Sequence, residues 1–191
     1  MGFTKDQLNR FKPWFVGLNL GLAKLKKLDV DAGLGLDIHF LNKAHEQGIE
    51  ILELEIPTSQ MEMLASLPEN IQMDYLSYTL GEYTKIDSTF HEVLDAWQNG
   101  DTERTNTLSR VKMRELEDEM PGMEEYYNRM FCEREKQIAE KIEGYMDDEE
   151  GRIYFIIVGA FHLVGDDGLL KMLEDNGYKI KQLKETTHEE K

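Results

Sequence analysis

The chain has very little cysteine, since Cys132 is the only one among its 191 residues. A single thiol excludes an internal disulfide framework and a zinc cage built from cysteines. Positive charge is also scarce: 22 Lys and Arg face 38 Asp and Glu, which gives a formal net charge of −16. We therefore expect no nucleic-acid partner and no anionic membrane surface as a partner, because affinity for both comes largely from Lys and Arg.

Long apolar runs are missing as well. The longest apolar block, residues 153–160, has the length of a strand and falls far short of the roughly 18 residues of a membrane span. The sequence therefore predicts no membrane span. Apolar residues still make up 40% of the chain, which is enough to build a core. We expect one domain over residues 1–191.

Three short strands are predicted between helices. Residues 49–56 alternate apolar and acidic side chains, and residues 152–158 form a continuous apolar run typical of a strand buried on both faces. Together with a helix and a last strand over 178–183, they predict a βαβ unit with a right-handed crossover. The sequence thus predicts an α/β fold, rich in helix, with a small, mostly parallel sheet and a large helical insertion over about 70–144.

Within that predicted insertion, residues 104–119 are mostly polar. Such a segment is expected to lie on the surface or to cover another part of the chain.

His162 follows the second predicted strand, three residues after Gly159. In open α/β sheets ligands bind outside the carboxyl ends of the strands, and a glycine there lets the backbone approach a ligand closely. His162 is therefore a candidate catalytic side chain and Gly159 a candidate substrate contact. The alternative is a polar turn in which His162 only hydrogen-bonds the backbone.

Glu53 and Glu55 share one face of the first predicted strand. Two carboxylates are costly in a central strand unless cations, a metal or hydrogen bonds compensate for their burial; an edge strand with a solvated face is the alternative. If the two strands are parallel, Glu55 and His162 meet at one sheet edge. They would then form a pair suited to binding a divalent metal or to acid–base chemistry on water.

Residues 158–178 carry a motif that resembles a known family. Their pattern is similar to VGagHLxGxxGLxxxLxxxGY, the C-terminal motif of the TraB/PrgY/GumN family, which includes the Tiki metalloproteases. Upstream, Asp37, Glu55 and Gln60 fall on the family pattern GlDxxfxxxAxxxgkxvxxLExxxxQ.

A further helix of the family carries an Arg-Asn pair. Arg134 matches its Arg, whereas Glu135 replaces the usual Asn.

The resemblance implies a metal-dependent hydrolase, peptidase-like, that uses a divalent ion such as Mn, Co or Zn. It implies that His162 is a metal ligand or general base and that Glu55 binds the metal or orients water. Arg134 would clamp the substrate or an oxyanion, or would be the counter-charge that allows Glu55 to be buried. Asp37 and Gln60 would contact the substrate, a peptide or another small molecule.

One departure from the family pattern affects this expectation. Nothing in residues 1–34 supplies the first Gly-x-x-His motif of the family, so the chain resembles its C-terminal two-thirds and is expected to hold half of the site. A non-catalytic peptide-binding protein, of the kind that shuts down pheromone signalling, is the alternative function, and an acidic helical interaction domain is a third.

The resemblance and the predicted sheet also bear on assembly and location. A fold without its first strands exposes a sheet edge, so we expect a homo-oligomer with contacts around residues 126–142. Relatives of the GumN type are commonly exported, which implies the cell envelope.

Overall fold

The computed structural model describes residues 4–28, 30–56 and 58–183. The α-helices in these ranges are α1 (Lys5–Leu8), α2 (Pro13–Leu25), α3 (Leu36–Gln47), α4 (Ser59–Ser66), α5 (Glu69–Glu82), α6 (Ile86–Gln98), α7 (Thr102–Asn106), α8 (Lys112–Arg114), α9 (Gly122–Tyr127), α10 (Glu133–Met146), α11 (Ala160–Leu163) and α12 (Leu169–Asp175). Short 3-10 turns cover Lys26–Leu28 and Ala32–Leu34.

The predicted α/β fold with a parallel sheet is wrong, because the described residues contain helices and no β-strand. Residues 49–56, 152–158 and 178–183 have no regular secondary structure. The predicted helices over 70–144 are present as α5 to α10, but the described part of the chain holds no sheet for them to interrupt.

The physical reason for this error can be seen in residues 152–158. Ile156 and Val158 pack against the helices, while Ile153 is 97% exposed and Phe155 is 71% exposed. A continuous apolar run in the sequence therefore reports that part of the segment is buried, here one face of it. It does not report that the backbone is hydrogen-bonded to a neighbouring strand, and burial on both faces was the wrong interpretation.

Two clusters of apolar side chains form the core. The first joins α4, α5 and α9, and the second joins α10 and α12. The buried residues of the first are Leu64, Leu67, Ile71, Met123 and Tyr126. Those of the second are Ile138, Ala139, Ile142, Leu169 and Leu173, with Leu54, Ile156, Val158, Tyr178 and Ile180 packed against them. All three segments predicted as strands thus contact the same helical cluster.

Two helical stretches are interrupted by π-helical turns. The first π turn (Thr107–Val111) lies between α7 and α8, and the second π turn (Asn128–Cys132) lies between α9 and α10. Such turns are rare and occur frequently at functional sites. Here they contain Arg110 and Phe131, which lie next to each other and next to the segment that carries His162.

One face of the helices proposed as a dimer contact lies in the interior. Tyr126, Phe131 and Ile138 are all buried, so these side chains are not free to contact a second copy. Self-association itself stays a prediction. No helix in the described ranges is long and apolar enough to cross a membrane.

Two isoleucines test this fold. Ile138 is 1% exposed in the second cluster, so Ile138→Ala is expected to lower the free energy of unfolding by about 2–5 kcal/mol. Ile153→Ala, at a 97% exposed side chain, is expected to change it by less than about 0.5 kcal/mol. Urea denaturation followed by circular dichroism measures both. A large loss in Ile153→Ala would show that this segment is packed, as a buried strand would be.

Candidate functional site

A buried ion pair lies at the centre of the candidate site. Arg110 is in the first π turn and Glu135 is in the first turn of α10; their side chains are 2% and 0% exposed. Arg110 Nη2 donates to Glu135 Oε1. Burial by itself would lower the pKa of Arg110, but the charge of Glu135 and further partners outweigh burial and raise this pKa. Arg110 is therefore a buried cation at ordinary pH.

The other donors of Arg110 hold the segment that follows the second predicted strand. Its Nε donates to the carbonyl oxygen of Phe161 at 2.9 Å. Its Nη1 donates to Asp167 Oδ1 at 3.0 Å and to the Tyr127 hydroxyl at 3.3 Å. The guanidinium also lies over the Phe131 ring, 4.7 Å from its centroid. Arg110 thus fixes residues 161–167 on both sides of His162.

His162 lies on α11, which begins after Gly159 in an extended conformation. Its Nδ1 is 3.0 Å from Glu135 Oε1, and its side chain is 16% exposed. Because Glu135 Oε1 already accepts from Arg110, we assign the hydrogen to Nδ1, which donates to this oxygen. Nε2 has no hydrogen-bond partner in the part of the chain that the structure describes. The His162 ring is therefore oriented by a side chain, and the alternative of a ring bonded only to the backbone is not what the structure contains.

Glu135 accepts from two donors through one oxygen. Oε1 accepts from Arg110 and His162, whereas Oε2 is buried without a hydrogen-bond partner among the described residues. A buried acceptor of this kind is costly. It marks Glu135 as a residue whose place is not explained by packing alone.

Glu55 and Arg134 form a second ion pair. Arg134 Nε donates to Glu55 Oε1 at 2.8 Å and Nη2 donates to Oε2 at 2.7 Å, which is the bidentate geometry of strong pairs. Arg134 Nη1 donates to the carbonyl oxygen of Met130 at 3.1 Å. The hydrogen bond from Arg134 lowers the pKa of Glu55, against the effect of burial, and a charge on His162 contributes to the same lowering. Arg134 thus pairs with a partly buried Glu55, and its role in the site stays a prediction.

Glu55 and His162 are near enough to interact through their charges, yet no hydrogen bond joins them in residues 4–28, 30–56 and 58–183. The predicted pairing through a shared metal or a single water stays a prediction.

Asp167 accepts from three residues besides Arg110. Its Oδ2 accepts from Tyr127 Oη at 2.6 Å, from Arg114 Nη2 at 2.7 Å and from Cys132 Sγ at 3.5 Å. Burial raises the pKa of Asp167, but the Tyr127 hydroxyl and the two arginines outweigh burial and lower it. Burial and the Asp167 charge raise the pKa of the Cys132 thiol, so Cys132 is not an activated nucleophile.

The predicted substrate contacts fall in different places. Gly159 lies beside His162, because a Cβ added to it would be 3.6 Å from His162 Cδ2. Gln60 Nε2 donates to Met130 Sδ at 3.6 Å, and Arg134 Nη1 contacts the same sulfur at 3.4 Å. Asp37 is exposed in the first turn of α3 and contacts none of these residues in the described structure.

The sequence analysis did not identify Arg110 or Glu135 as site residues. Arg110 lies in residues 104–119, which were predicted to lie on the surface or to cover another part of the chain, yet its side chain is buried. Glu135 was noted only as a departure from the Arg-Asn pair of the family. That departure was the one signal in the sequence that could have found it.

No group of three or more His, Cys, Asp and Glu side chains that could hold a metal ion occurs in the described residues.

The sequence profile of the TraB/PrgY/gumN family matches residues 1–182. The chain belongs to this family. It is 25% identical over 178 residues to an uncharacterised protein, YbaP, from Escherichia coli (strain K12), and equally to YbaP from Shigella flexneri. The match covers 91% of this chain and 60% of each relative, so the chain spans 60% of the length of the curated relatives it matches. No solved structure matches.

Membership of the TraB/PrgY/gumN family confirms the resemblance that the motif around His162 indicated. It assigns no reaction, since the curated relatives are themselves uncharacterised.

A double-mutant cycle tests the central ion pair of this TraB-family chain. Arg110→Met leaves the buried Glu135 without a cation and is expected to lower the free energy of unfolding by about 3–5 kcal/mol. Glu135→Leu is expected to cost less, because Arg110 keeps its ion pair with Asp167. The double variant has neither charge. Its loss in the free energy of unfolding is expected to be clearly smaller than the sum of the losses in the two single variants. Urea denaturation provides the three values. Additive losses would mean that the two side chains do not stabilise each other.

Proposed function

We propose that this chain provides the His162 part of a hydrolase site that acts on peptides. The observation that supports the proposal is the chain of contacts from Arg110 to Glu135 to His162, which orients the imidazole and leaves Nε2 without a partner among the described residues. An imidazole held by a carboxylate through one nitrogen is the arrangement used for general-base chemistry at the other.

In the proposed reaction His162 Nε2 takes a proton from water as the water attacks the carbonyl carbon of a peptide bond. The proton is then passed to the leaving amine. Glu135 keeps the ring in the Nδ1–H form and stabilises the imidazolium that forms. Arg110 holds Glu135 in place, since its Nη2 donates to the same carboxylate oxygen that His162 Nδ1 contacts.

Arg134 would act through Glu55 in this proposal. Its Nε and Nη2 are engaged by Glu55 and its Nη1 by Met130. A substrate oxyanion could be clamped only by replacing one of these contacts. We therefore assign Arg134 the role of holding Glu55 ionised beside His162, where its negative charge favours the imidazolium.

The described residues do not by themselves fit a divalent metal site. Both oxygens of Glu55 accept from Arg134, and Glu135 Oε1 accepts from Arg110. Of these residues, His162 Nε2 and the buried Glu135 Oε2 are the ligand atoms without a partner among the described residues. A catalytic metal site commonly has three protein ligands. The proposed reaction therefore uses protein groups and water, and a divalent ion (Mn, Co or Zn) is a separate prediction that rests on the family resemblance.

A non-catalytic peptide-binding function is the second candidate. It is favoured by the pairing of Glu55 with Arg134, which engages both oxygens of the carboxylate that was predicted to act with His162. A binding protein would use the same surface without cleaving the peptide.

Hydrolysis of fluorogenic peptides by the purified chain tests the proposal. His162→Ala is expected to reduce the rate by about 10²–10⁴-fold, the usual contribution of a general base. Glu135→Gln is expected to reduce it by about 10–100-fold, since it weakens the group that orients the ring. The matched control is His39→Ala, at an exposed histidine of α3 outside the site, which is expected to keep the full rate.

The same assay in chelator and with added Mn, Co or Zn tests the metal. If an added metal stimulates hydrolysis by the wild type but not by His162→Ala, the result would support His162 as the predicted metal ligand. Wild-type chain that binds peptides without cleaving them, or equal cleavage by wild type and His162→Ala, would contradict the hydrolase proposal.

A further inference from the structure

A polar pocket lies outside the His162 site, where the segment before α2 meets the start of α5. Its volume is about 430 Å³, and Arg10, Lys12, Glu69 and Gln72 are among the residues that line it. None of these residues contacts Arg110, Glu135 or His162 in the described structure.

The charge of this pocket is unusual for the chain. The protein carries a net charge of −16, yet two cations and one carboxylate line the pocket. Arg10 makes no ion pair or side-chain hydrogen bond with a described residue, and Lys12 Nζ donates to the carbonyl oxygen of Ala65 at 2.9 Å, which leaves its other hydrogens available. The pocket can therefore attract an anion.

The first turn of α5 adds to this attraction. The 14-residue helix begins at Glu69, after Pro68. The first backbone N–H groups of a helix have no acceptor within the helix and carry partial positive charge. An anion in the pocket would lie near these groups.

Gln72 supplies a second, independent indication of a ligand. Its side chain is 4% exposed, and Nε2 donates to the carbonyl oxygen of Leu67 at 2.6 Å. Only the nitrogen of an amide can donate to a carbonyl, so this bond fixes the orientation of the side chain. Oε1 is then buried without a partner among the described residues. A ligand for this pocket should bring a hydrogen-bond donor as well as a negative charge.

We propose that this pocket binds a small carboxylate that also carries an N–H donor, as the C-terminal residue of a peptide does. The carboxylate would lie between Arg10, Lys12 and the start of α5. The amide N–H would donate to Gln72 Oε1, which would turn from its buried position toward the pocket to accept it. This binding does not depend on the proposed hydrolase function.

Three small molecules test the chemistry by isothermal titration calorimetry on the full chain. N-acetylglycine has both the carboxylate and the N–H, and it is expected to bind saturably. N-acetylsarcosine replaces the N–H by an N-methyl group, and N-acetylglycinamide removes the charge. N-acetylsarcosine and N-acetylglycinamide are each expected to bind at least about tenfold more weakly than N-acetylglycine, because each loses a hydrogen bond that involves a charged or buried group.

Two exposed side chains provide matched variants. Arg10→Gln is expected to weaken binding of N-acetylglycine by about tenfold, and Glu69→Gln is expected to strengthen it, since the first removes an attraction and the second a repulsion. His162→Ala is expected to bind like the wild type, which separates this site from the proposed active site. Gln72→Met would weaken binding while Arg10 and Lys12 stay in place.

Several results would overturn the proposal. They are the absence of saturable binding by N-acetylglycine, equal affinity in Arg10→Gln and the wild type, or equal affinity for N-acetylglycine and N-acetylsarcosine.

Discussion

The buried pair of Arg110 and Glu135 is the interaction on which the rest of the site depends. Each charge would be costly in the interior without the other, because removal from water outweighs any single hydrogen bond. Together they connect the helical stretch that contains the first π turn to α10, and Arg110 reaches further to Phe161 and Asp167. Arg110 and Glu135 together make five hydrogen-bond contacts, and these position the segment that carries His162.

This arrangement joins the core to the candidate chemistry. The second π turn places Phe131 under the guanidinium, and α10 begins directly after that turn with Arg134 and Glu135 in its first residues. Arg134 holds Glu55 and Glu135 holds His162. One helix start therefore contacts both predicted metal ligands, Glu55 and His162, although no sheet edge brings them together in the described structure.

The sequence was informative where a residue type had few alternatives. A histidine three residues after Gly159 in a family motif made His162 a candidate. A carboxylate in an apolar segment called for a cation, a metal or hydrogen bonds, and Arg134 is the cation that pairs with Glu55. Arg110 could not be predicted, because one arginine among many polar residues carries no signal of burial. The sheet was predicted wrongly, because the apolar run in residues 152–158 reflects packing of one face on α10 and α12 rather than pairing between strands.

The tautomer of His162 tests the central claim most directly. Long-range proton–nitrogen NMR at about pH 8.5, two units above the ordinary pKa of histidine, distinguishes a hydrogen on Nδ1 from one on Nε2, and exposed His39 serves as the internal reference. If Glu135 orients the ring, His162 carries its hydrogen on Nδ1, unlike His39, and Glu135→Leu abolishes the difference. A hydrogen on Nε2 of His162 in the wild type would contradict the claim.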